Sequence, residues 1–84
     1  MMKTLTLTLK RQFFNQIAAG TKKLEYRDIK PYWTQRLEGK VFDEIVFRNG
    51  YSKNAPTMRV EWLGMTKSKN QYIIELGKVL EIRR

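Results

Sequence analysis

The chain has 84 residues and a formal net charge of +9, from 17 Lys and Arg against 8 Asp and Glu. It contains no His and no Cys, which excludes Ser-His-Asp hydrolysis, thiol nucleophiles, zinc fingers and the His/Cys zinc deaminases. A chain this short builds one core, so residues 1–84 read as a single domain whose charge surplus attracts polyanions, most often nucleic acid.

Thr4 to Leu9 alternates Leu with Thr and predicts a half-buried strand. Lys10 to Ala19 switches to helical spacing, with Phe13, Phe14 and Ile17 on one face and Gly20 as the left-handed stop. Lys23 to Asp28 reads as a second strand, Leu24 and Tyr26 on one face and Lys23, Glu25 and Arg27 on the other. Pro31 opens a short helix to Glu38 that directs Trp33 and Leu37 to the core.

Asp43 to Arg48 predicts a third strand. Asn49-Gly50 then starts a turn, and the residues through Pro56 lengthen it into a loop. Met58, Val60 and Trp62 mark a fourth strand, and Thr66 to Gln71 reads as a mobile polar connection. Tyr72 to Ile82 is one long strand bulged at Gly77, or two strands bent there. The expected fold class is α+β and β-dominated: a small closed or nearly closed barrel of five to six strands with two short helices. Tyr26, Tyr32, Trp33 and Trp62 are expected in its core.

The chemistry-bearing run is Gly20-Thr21-Lys22-Lys23-Leu24-Glu25-Tyr26-Arg27, a Gly-x-Lys-x-x-Glu-x-Arg pattern at a turn-to-strand junction. It gathers an ammonium, a carboxylate and a guanidinium. Arg27 offers a planar fork to phosphate or a base edge, and Lys22 a mobile point charge. Lys22 can serve as general base with Glu25 as proton partner, which makes these two the catalytic candidates of an enzyme reading. Glu25 can equally accept a hydrogen bond from the exocyclic amine of a base. The plain alternative is an exposed Glu25–Arg27 ion pair with Lys22 in water, worth about 0–1 kcal/mol.

A second candidate for RNA contact is Arg48, Asn49, Tyr51 and Lys53, where cations interleave with an aromatic ring as on single-stranded nucleic-acid platforms. The scattered Asp and Glu form no carboxylate cage, so no metal or cofactor is expected beyond a magnesium ion carried in by a phosphate. Met1-Met2-Lys3-Thr4 has no signal-peptide core, and no apolar run reaches membrane-spanning length. A cytoplasmic protein without membrane attachment is expected.

A leading strand, a helix stopped by Gly20, and then Lys22, Glu25 and Arg27 on the next strand resemble an ASCH domain, a family of the PUA-like superfamily. The segment Tyr72 to Ile82 is similar to the last strand of small ASCH proteins. The resemblance covers nearly the whole chain in element order, while only the signature is residue-specific. It implies a PUA-like pseudo-barrel with an RNA-associated cleft beside the signature. Some members are hydrolases, notably a bacterial acetylcytidine amidohydrolase whose signature lysine works with a threonine and a later glutamate. Lys22 matches that lysine, but Glu25 replaces the threonine, and nothing between Asn49 and Tyr72 resembles the helix bearing the glutamate. Ribonuclease activity has also been attached to some members. The leading expectation is a module that grips RNA or a nucleotide. A hydrolase of modified nucleosides or RNA follows, then a protein-interaction adaptor.

Overall fold

The computed structural model describes residues 2–84; Met1, at the head of the amino-terminal stretch, lies outside the described residues. Seven elements follow in order: β1 (Thr4–Leu9), α1 (Arg11–Ala18), β2 (Leu24–Asp28), α2 (Pro31–Leu37), β3 (Glu44–Asn49), β4 (Thr57–Lys67) and β5 (Gln71–Arg83). The Leu/Thr alternation of β1 buries Leu5, Leu7 and Leu9 and leaves Thr4 and Thr6 exposed. Phe14 and Ile17 anchor α1, with Lys10 extended before it and Ala19 closing it. Pro31 begins α2, where its missing N–H costs nothing, and Leu37 buries the helix end.

One five-stranded sheet runs in the order β1-β3-β4-β5-β2. Strands β1 and β3 are parallel, and every other pair is antiparallel. The crossover from β1 to β3 carries α1, β2 and α2, which places β2 at the far edge of the sheet. The first and last strands of that order nevertheless face each other, since Arg27 Nη2 of β2 lies 3.5 Å from the Thr8 carbonyl of β1. The sheet is therefore a curled half-barrel with an open seam between β1 and β2. This is β-dominated α+β architecture with five strands and two short helices, without barrel closure by main-chain pairing.

One expectation along the chain needs correction. Thr66 to Gln71 is not a loose connection: β4 continues to Lys67, and the Ser68 N–H donates to the Gln71 carbonyl at 2.8 Å while Ser68 Oγ accepts the Gln71 N–H at 3.1 Å. The Ser68 hydroxyl supplies the local partner that makes this polar segment a tight hairpin. Of the two arrangements open for the last element, the single strand is the one formed, β5 running unbroken from Gln71 to Arg83. Val60 pairs with Val79 and Trp62 with Leu76, so β5 holds an extra residue at Gly77-Lys78. A bulge there twists the strand without ending it.

The core joins the β1 leucines, Phe14 and Ile17 to Leu37, Ile45, Phe47, Met58 and Val60, with Tyr72, Ile74 and Leu76 completing it from β5. The fully buried Tyr72 keeps its hydroxyl satisfied: it donates to Glu38 Oε2 at 2.6 Å and lies 2.9 Å from Thr34 Oγ1. Both partners come from α2 and its end, so one tyrosine pins that helix to the sheet. No helix among the described residues is long and apolar enough to cross a membrane.

Candidate nucleic-acid interface at the seam

The turn after α1 fixes where Lys22 begins. Gly20 adopts φ +81°, a conformation that favours glycine, and the Gln16 carbonyl accepts the N–H groups of both Thr21 and Lys22, at 3.0 and 3.2 Å. The chain then enters β2 with the Leu76 N–H donating to the Lys23 carbonyl at 3.0 Å. Register with β5 decides the rest. Glu25 lies opposite Ile74 and Arg27 opposite Tyr72, both buried, so Glu25 and Arg27 project from the inner face of the sheet.

This reverses what apolar content alone suggests for β2. Glu25 is only 5% exposed, whereas Tyr26 is 40% exposed and Leu24 also faces outward. The inward carboxylate is neutralised from both sides. Arg27 Nη1 lies 2.9 Å from Glu25 Oε2, and Lys22 Nζ lies 3.4 Å from Oε1, which also accepts the Tyr26 N–H at 3.1 Å. The pair is thus not an exposed surface ion pair; it is a half-buried, three-membered clamp. Arg27 is held further by its own donation to the Tyr26 carbonyl at 2.8 Å and by the Trp33 ring, 5.1 Å away. Lys22 Nζ sits 5.5 Å from the Phe13 ring and 5.4 Å from that of Tyr26, distances at which an aromatic face attracts a cation.

The clamp forms one wall of a hollow of about 740 Å³ along the seam. Thr6 and Thr8 of β1 form the opposite side, Lys10 and Phe13 one end, and Tyr32, Trp33 and Tyr51 supply further aromatic surface. Its charged lining is Lys10, Lys22, Arg27 and Glu25, three cations against one carboxylate. Such a hollow suits a flat, polar, anionic ligand: rings for stacking, a guanidinium and an ammonium for phosphate or carbonyl oxygen, and a carboxylate for an amine.

Comparison of the chain with protein-family models, with curated proteins and with solved structures gave no match.

Of the eight residues singled out in the sequence, Lys22, Glu25, Arg27 and Tyr51 line the hollow, and Gly20 shapes the turn beneath it. Tyr51 is 90% exposed, a free ring at the rim. Arg48, Asn49 and Lys53 lie outside the lining. Arg48 Nη2 donates to the Ser52 carbonyl at 2.6 Å and the Asn49 N–H to the Pro56 carbonyl at 2.9 Å, so both secure the β3–β4 loop, while Lys53 points to solvent.

The expected placement of four aromatics in the core holds only in part. Trp33 and Trp62 pack half-buried against it, whereas Tyr26 and Tyr32 are exposed at the seam. Their spacing gave no warning, because the deciding factor is the gap between β1 and β2. Thr8, Lys10 and Phe13 sit together at the β1–α1 junction outside the signature, and only the fold brings Tyr32 of α2 beside them. The pairing of Tyr32 with Arg36, i and i+4 on α2, was the one local signal available, and the guanidinium carbon does lie 3.6 Å from that ring's centre.

Proposed function

We propose that this chain is a small RNA-binding protein of ASCH type, with a PUA-like pseudo-barrel, that grips single-stranded RNA or a nucleotide in the seam hollow. The observation that carries the reading is the buried Glu25 clamped between Lys22 and Arg27 on the wall of an aromatic-lined hollow. A carboxylate is kept inward at such a place only when its partners compensate the loss of water. The arrangement leaves donors and an acceptor fixed beside open space. The net charge of +9 supplies a long-range attraction for the same ligand.

Filter binding to single-stranded RNA tests this directly. Affinity is expected at 50 mM salt and should fall steeply by 200 mM, because counterion release supplies much of it. Arg27→Ala should remove most of the binding. Absence of binding at low salt, or binding indifferent to salt and to Arg27→Ala, would overturn the proposal.

The 3.4 Å approach of Lys22 Nζ to Glu25 Oε1 favours one second reading, a hydrolase of modified nucleosides or RNA in which this pair moves the proton. Turnover of acylated nucleosides or RNA that disappears in Lys22→Ala would support it. Turnover that survives the substitution would exclude the pair.

A further inference from the structure

A second hollow, of about 640 Å³, lies farther along the same edge of β1. It meets the first at Thr6, which lines both. Lys3, Arg36 and Lys40 contribute its charge, and its lining contains no carboxylate. None of the three side chains pairs with an acidic group among the described residues; Asp43 is close, but Oδ2 accepts the main-chain N–H of Lys3. The two hollows thus differ in kind: one holds rings and a neutralised carboxylate, the other unpaired cations beside Val41 and Phe42.

The edge between them is also open at the main chain. The Lys3 and Leu9 carbonyls face β3, accepting the Asp43 and Gly50 N–H groups at 2.9 and 3.2 Å. Alternate residues of a strand turn their peptide groups the other way, so Thr4, Thr6 and Thr8 present theirs to the seam. The Thr8 carbonyl, 3.5 Å from Arg27 Nη2, shows that orientation directly. Arg36 joins the hollows from the helix side: it lines the second, and its guanidinium lies over the ring of Tyr32, which lines the first.

We infer that the two hollows form one continuous groove for single-stranded RNA, in which the first takes a base and the second takes the phosphates that follow it. This deepens the proposed function and rests on it. The ligand is then an oligonucleotide rather than a free nucleotide. Strand β1 is six residues long, roughly 20 Å, enough for about four nucleotides, the low end of single-stranded sites. An acidic peptide added as an extra strand fits less well. It would need the Thr8 carbonyl, which Arg27 already caps, and would leave the rings of the first hollow without a stacking partner.

The test compares uridine monophosphate with an oligouridylate of about eight nucleotides, by fluorescence anisotropy or competition, on the wild type, Arg27→Ala and Lys3→Ala/Lys40→Ala. Both lysines are exposed, so the double variant should fold normally. The oligonucleotide should bind more tightly than the monophosphate. In the double variant the slope of log affinity against log salt should become shallower by about 1.4, at about 0.7 per lost phosphate contact on a single strand. Monophosphate binding should be unchanged. If both ligands bind alike, or the double variant keeps the wild-type slope, the continuous groove is wrong while binding lost in Arg27→Ala still upholds the first hollow. If the wild type binds neither ligand, both proposals fall. A polyglutamate peptide that displaces the oligonucleotide with equal potency overturns the assignment of the groove to RNA.

Discussion

Glu25 is the residue on which the seam depends. Its carboxylate is buried between two cations, and among the described residues neither cation has another acidic partner within ion-pair reach. Glu25→Ala leaves Lys22 and Arg27 half-buried and mutually repulsive, and should cost about 1–3 kcal/mol. A urea titration of wild type and variant checks this, and an unchanged midpoint would show that the clamp contributes nothing to folding. Tyr51 behaves oppositely. At 90% exposure its ring supports no packing, so Tyr51→Ala should leave the urea midpoint unmoved yet weaken oligonucleotide binding by about 1–3 kcal/mol, the worth of one stacked base. A variant that loses stability without losing affinity would remove Tyr51 from the site.

Among the elements, β4 and β5 show how local chemistry sets sheet shape. A Cβ at Gly77 would lie 2.9 Å from Glu61 Cβ and 3.0 Å from a Leu63 methyl, so the neighbouring strand leaves no room for a side chain there. Gly77→Val should therefore cost about 1–3 kcal/mol through overpacking, read as a lower thermal midpoint. Little change would mean that the bulge relaxes to admit the side chain. The same bulge bends β5, and β5 carries β2 as its outer neighbour.

At the scale of the molecule, carboxylates couple folding to acid. Arg59 donates Nε and Nη2 to the two oxygens of Glu44, at 2.9 and 2.8 Å, and Nη1 to Glu81 at 3.1 Å, tying β3, β4 and β5 together. The hydrogen bonds from Arg59 hold Glu44 below the ordinary carboxylate range; those from Arg59 and then Arg83 do the same for Glu81. Glu38 is lowered chiefly by the Tyr72 hydroxyl and next by Lys67, where α2 meets the sheet. Groups lowered on folding stabilise the native state above their ordinary value near 4.5, and that share is lost as pH falls through the still lower folded values. Thermal midpoints should accordingly hold from pH 7 down to about 5 and decline below about 4.5. Arg59→Gln should flatten the decline; an acid profile identical to the wild type would remove this network as its source.

Alternation, spacing and turn chemistry are properties of neighbouring residues, and they determined β1, both helices, the Gly77 bulge and the gathering of Lys22, Glu25 and Arg27 at one junction. The two helices ran within a residue of their expected ends because Gly20 and Pro31 act through their own backbone. Which face of β2 turns inward was not local: Leu24 and Tyr26 are the apolar residues, yet pairing with Tyr72 and Ile74 sends Glu25 and Arg27 inside. The open seam likewise exists only because a five-stranded sheet curls without closing. That gap, not any motif, gathers Thr8, Phe13, Tyr32 and Trp33 around the clamp and sets a second basic hollow beside it, since hollows belong to surfaces that meet across long stretches of chain.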